Sequence, residues 1–143
     1  MTNDTIKLLR ECDSGVQMGV ASIEDVVDKV KNDDFRSLLN SCKCEHERLR
    51  DEVQNALLQY GDDGKDPNPM AKGMSKMRTG LMTAIDGSDE TVADLMTDGC
   101  NMGVKSLSRY LNQYPKADEQ SKAFAGRLIG LEENLAVQMR QYL

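Results

Sequence analysis

The sequence predicts an all-α protein: a four-helix bundle of two repeated helix hairpins, joined by a long crossover that contains a short fifth helix. Three observations predict it. Apolar residues recur at helical spacing almost throughout the chain. Only three prolines interrupt 143 residues, and Leu, Met, Lys, Glu and Gln are plentiful, which favours helix. Finally, "GVQMGVASI" at 15–23 returns as "GCNMGVKSL" at 99–107 without a gap. Gly15, Met18, Gly19, Val20 and Ser22 match Gly99, Met102, Gly103, Val104 and Ser106.

The elements follow in order. The first helix runs from about Asp4 to Lys31, with a stripe of Leu9, Val16, Val20, Ile23, Val27 and Val30. "KNDD" breaks it, and Asp33 or Asp34 is placed to cap the second helix. That helix reaches Tyr60 with Leu39, Cys42, His46, Leu49, Val53 and Leu57 on one face, and Gly61 and "DDGKDPNP" end it. A crossover helix over 69–86 carries Met70, Met74, Met77, Leu81 and Ile85. Ser88 caps the next helix, which stops at Tyr114 before Pro115. The last fills Ala117 to the C-terminus with Leu128, Glu132, Leu135 and Met139 on one face. The organisation is one domain over 1–143: a hairpin at 4–60, the crossover helix at 69–86 and a second hairpin at 89–143. The crossover helix returns the chain along the bundle, so the second and third long helices run in the same direction.

Composition excludes several classes of function. A net charge of −6 and a pI near 4.8 oppose a nucleic-acid partner, whose phosphates would be repelled. The local basic stretch of Lys65, Lys72, Lys76 and Arg78 reads as a solvated helix face. The N-terminus lacks the basic and apolar regions of a signal peptide, and no apolar run nears the roughly 18 residues of a membrane span. The expectation is a cytoplasmic protein with its four cysteines reduced. "DDGKD" lacks the acidic spacing and closing glutamate of a calcium loop, and the methionines sit at core spacing rather than as soft copper ligands.

"SCKCEHERLR", residues 41–50, holds two cysteines and the single histidine. As a string it looks like a metal site. On a helix, residues two apart diverge by about 200° whereas residues four apart share a face. Cys42 and His46 therefore point together into the core and Cys44 points away, so the three do not close on one ion. The weaker second half of the repeat aligns "CEHERL" with "GLEENL", placing His46 opposite Glu132 on adjacent, antiparallel helices. A buried imidazole must be satisfied, and His46 with Glu132 is the expected polar core pair. Cys12 and Cys42 are read as small core hydrophobes. Asp13 faces the core but lies about 10 Å along the axis from the level of His46. Gly15, Gly19, Gly99 and Gly103 sit inside helices at roughly 1 kcal/mol each relative to Ala. They are read as permitting close packing of the first helix against the third, with a glycine-lined ligand channel as the alternative.

The "ECDSGVQMG" opening of the first helix, "HERLRDE" on the second and "LMTDGCNMGVKSLSRYLNQY" on the third together resemble a bacterial ferritin-like family of uncharacterised function, over essentially the whole chain. The resemblance implies the ferritin-like fold and names no activity. Ferritin-like oxidases hold two metals with a carboxylate from each first helix of a hairpin and a Glu-x-x-His from each second. Here Lys43 stands where the glutamate before His46 belongs, and Leu135 and Ala136 stand where the second histidine belongs. Val16, Val20, Cys100 and Val104 occupy the mid-depth positions that need carboxylates. His46, Glu132 and Cys100 are the remaining candidates for iron or another transition metal, and no cofactor is expected. The leading expectation is a non-catalytic bundle acting through association, as a homodimer, with no small-molecule substrate. Gly126 and Gly130, off the core stripe of the last helix, would mark a helix–helix contact, either with the crossover helix or with another subunit. The alternatives are a metal-dependent oxidase or peroxidase with a degenerate site, and a metal-storage protein.

Overall fold

A computed structural model describes residues 3–62 and 88–143. Within them the chain forms four α-helices and no strand: α1 (Asn3–Val26), α2 (Asp33–Gln59), α3 (Asp89–Gln113) and α4 (Glu119–Met139). The expected crossover helix at 69–86, with its methionine stripe and the basic stretch from Lys65 to Arg78, lies outside the described residues.

The helix ends show the local chemistry. The last turn of the first helix tightens into a 3₁₀ turn at Val27–Lys29, a common way to spend unpaired carbonyls. Asn32, not Asp33 or Asp34, caps α2: its side chain accepts from the Phe35 backbone N–H at 2.9 Å. The cap must stand three residues before that N–H. The two aspartates fall instead in the first turn, where the helix dipole favours them. Ser88 caps α3 through the Thr91 N–H, and Asp118 caps α4 through the Ser121 N–H.

Contacts between the ends set the topology. At one end the Asp89 carboxylate accepts from the backbone of Lys31 and Asn32. At the other, Arg10 pairs with Asp62, Tyr60 donates to Asp118, and the Lys116 and Asp118 N–H groups reach Asp4 and Thr5. Hence α1 and α4 run one way and α2 and α3 the other. Asp62 and Ser88 consequently stand at opposite ends of the bundle. Tyr142 stacks on the buried Phe35, ring centroids 4.4 Å apart, closing the end near Asn32.

The core falls into two apolar clusters. One gathers Leu8, Leu9, Val16, Leu49, Val53 and Leu128; the other gathers Ile23, Phe35, Leu39, Val92, Met96 and Met139. Between them, at the waist of the bundle, stand His46 and Glu132, both buried.

Candidate functional site

The waist is built by position along four helices. His46 lies near the middle of α2, with its side chain only 1% exposed. Glu132 lies on α4, which runs antiparallel to α2, and its Oε1 is 2.7 Å from His46 Nε2. The other ring nitrogen, Nδ1, is 2.8 Å from the Cys42 carbonyl oxygen one turn earlier. It also lies 3.5 Å from Cys42 Sγ.

The electrostatics favour a charged ring. Burial alone lowers the pKa of an imidazole, but the contacts with Cys42 and Glu132 outweigh it and raise His46 from 6.5 to about 10. As an imidazolium His46 donates from both nitrogens: Nε2–H to Glu132, and Nδ1–H to the Cys42 carbonyl with the sulfur alongside. Neither nitrogen retains a free lone pair for a metal in that state.

Two glycines shape this waist. A Cβ on Gly19 would stand 2.7 Å from His46 Cδ2 and 2.9 Å from Nε2. The missing side chain makes room for the ring, so the nearest contact here is with a side chain from α2. Gly103 has the Glu132 side chain 3.6 Å from its Cβ position, an ordinary contact. Gly15 is buried and Gly99 half-buried.

The remaining candidates divide. Cys100 is buried beside Glu132, and burial followed by the carboxylate's influence pushes its thiol pKa up. Cys12 is fully enclosed, and burial together with Glu11 and Asp13 raises it to about 12, so both are inert small hydrophobes near neutral pH. Cys42 differs from the expectation. It is only half-buried and lines a groove between α2 and α4, because it sits at the edge of the core face. Cys44 is exposed. Asp13 is buried away from the waist and accepts from Gln54 at 3.2 Å. Among the described residues no three His, Cys, Asp or Glu side chains are arranged to hold a metal ion. Among them, too, no helix is long and apolar enough to cross a membrane.

Sequence reasoning passed over a second buried polar site. Glu11 on α1 is 5% exposed. Burial raises its pKa against a hydrogen bond from Tyr110 that lowers it, and its Oε2 has no partner among the described residues. Glu11 was hidden in "ECDSG" because it flanks the apolar stripe instead of interrupting it.

No family profile and no curated protein matches this chain. One solved structure does: the crystal structure of a DUF305 fragment from Deinococcus radiodurans, over 98% of this chain and 95% of that one. The TM-score is 0.76 at 13% sequence identity. Likeness at that identity shows a shared helical-bundle fold and nothing of function.

Proposed function

We propose that this chain is a non-catalytic, ferritin-like bundle of two repeated hairpins, cytoplasmic in a bacterial cell, that works by pairing with a second copy through the outer face of α4. The observation that carries this reading is the surface of α4. Gly126 and Gly130 are exposed, with nothing among the described residues within 4 Å of where their Cβ atoms would stand. Val137, 51% exposed, and the exposed Ala123 lie on the same stripe at helical spacing. Glu133 is the one charge on that stripe. Such a face is costly as a solvated surface, since glycine weakens the helix without a packing return. It suits the close approach of a like helix about a twofold axis.

Two further features support the ferritin-like part of the proposal. The repeat-related Gly19 and Gly103 both face the His46–Glu132 pair. That pair lies at the waist, where ferritin-like oxidases carry their metals; here an imidazole and a carboxylate satisfy each other.

Light scattering across a concentration series tests the association. The expected result is a dimer in the wild type and a monomer of unchanged helix content in Gly126→Leu. A monomeric wild type, or a dimer indifferent to Gly126→Leu, removes the proposal.

A further inference from the structure

The groove between α2 and α4 has a cavity of about 130 Å³, lined by Leu38, Ser41, Cys42, Glu45, Leu135 and Asn134 among others. One wall therefore carries a thiol. Behind that thiol stands an ordered relay: Cys42 Sγ is 3.5 Å from His46 Nδ1, and His46 Nε2 is 2.7 Å from Glu132 Oε1. Such a Cys–His–carboxylate series fixes the ring's orientation through its far nitrogen, and the near N–H, which donates to the Cys42 carbonyl at 2.8 Å, keeps the ring edge beside the sulfur at 3.5 Å. Gly19 completes the fixing, since the ring is seated against a helix surface with no Cβ.

We propose that Cys42 is a thiol-modification site that exchanges with small cationic disulfides bound in this groove, with His46 supporting the sulfur and Glu132 positioning His46.

The chemistry balances without a further reactant. The Cys42 thiol releases its proton to water, and the thiolate attacks one sulfur of the disulfide R–S–S–R. A Cys42–S–S–R bond forms, the original S–S bond breaks, and the departing thiolate takes up a proton as R–SH. The incoming disulfide is reduced at one sulfur as Cys42 is oxidised. A positive ring beside the sulfur stabilises the charge it carries at the moment of attack. His46 holds that positive state well above neutral pH.

The preference for a cationic disulfide comes from the lining. Glu45 supplies a carboxylate, Ser41, Asn134 and Gln138 supply neutral polar groups, and among the described residues no Lys or Arg lines this cavity, Arg48 and Arg127 bordering the neighbouring pocket that Glu45 also lines. The chain's net charge of −6 acts in the same sense. The other cysteines separate cleanly from this behaviour: Cys12 and Cys100 are buried. Cys44 is exposed and serves as an internal control two residues away.

The test is a competition within one molecule. The full chain is treated with cystamine, and with dithiodipropionate, which has the same sulfur-to-charge spacing and the opposite sign. Peptide mapping by mass spectrometry follows the adduct at each cysteine. Cystamine should modify Cys42 about tenfold faster than Cys44, and Cys42 should discriminate against dithiodipropionate by about tenfold. Glu45→Gln, at an exposed position, should shrink that discrimination at Cys42. His46→Gln should slow Cys42 and leave Cys44 unchanged. Modification of Cys44 ahead of Cys42 in the wild type overturns the proposal, as do equal rates for the two disulfides at Cys42. The wild-type comparison decides the matter even where His46→Gln fails to fold.

Discussion

His46 Nε2 and Glu132 Oε1 stand 2.7 Å apart, and this bond joins two helices at the level where the apolar core divides in two. A buried ion pair is not a cheap source of stability, because both charges are stripped of water. Its value lies in what happens when one member is lost. Glu132→Leu should destabilise the bundle by about 3–5 kcal/mol, by leaving an imidazole buried without its acceptor. The double change His46→Leu with Glu132→Leu should recover much of that loss. Urea unfolding of both singles and the double closes the cycle; additive losses would contradict the coupling.

The two waist glycines should respond in opposite directions. Alanine raises helix propensity by roughly 1 kcal/mol at either site. At Gly19 the new methyl would meet the His46 ring at 2.7 Å, and displacing a hydrogen-bonded buried ring costs about 1–3 kcal/mol as overpacking. At Gly103 the nearest atom is the Glu132 Cγ at 3.6 Å, so the methyl fits. Gly19→Ala should therefore lower the unfolding midpoint and Gly103→Ala should hold or raise it. Equal responses would mean that the ring does not depend on the missing Cβ.

How far the site was legible follows from this difference. The proximity of His46 and Glu132 could be read because aligning "CEHERL" with "GLEENL" sets two distant positions opposite each other. The direction of Cys42 along the same helix could also be read, since four residues return to one face. Its partial exposure could not. Whether an edge position is covered depends on the neighbouring helix, and α4 passes beside Cys42 with a gap that helical periodicity does not encode. The same holds for Asn32: three polar residues in a row all suit a cap, and only the register of the first turn selects one. Glu11 was out of reach for a further reason. Its burial comes from neighbouring elements such as the α3 residue Tyr110, which no stripe on α1 announces.

The pH dependence of stability carries the signature of the waist. His46 is raised in the folded state from 6.5 to about 10. Its contribution is thus fully present below pH 6.5 and is lost as pH rises through 10, because the unfolded chain gives up the proton first. Cys12, Cys100 and Tyr110 are also raised and act in the same direction, but only near and above their ordinary values of 9.0 and 10.0. The window from about pH 6.5 to 8.5 lies below those three, and the double variant separates the histidine from the raised Glu11 carboxyl. Stability should decline there by a few kcal/mol in the wild type and stay nearly flat in the His46→Leu, Glu132→Leu double variant. Denaturant midpoints at four pH values suffice, and a flat wild-type profile would exclude a buried imidazolium.

Glu11 offers the opposite kind of test, because here the native residue opposes folding. Its carboxyl is buried, raised in pKa chiefly by that burial, and leaves Oε2 unpartnered among the described residues. A carboxyl whose folded pKa is raised favours the fold at low pH, and that advantage is lost as pH climbs from the unfolded value of 4.5 through the folded one. Within that range the folded protein retains a proton that the solvent would remove, and above it holds an imperfectly solvated charge. Glutamine keeps the shape and the oxygen facing Tyr110 and removes the charge. Glu11→Gln should stabilise the protein by about 1 kcal/mol at pH 7, with the gain shrinking toward pH 4, where the native carboxyl is mostly protonated in both states. Unfolding curves of the two proteins at pH 7 and pH 4 measure it directly. A loss of stability at pH 7 would show that the Glu11 charge is better accommodated at the α1–α3 contact than its geometry indicates.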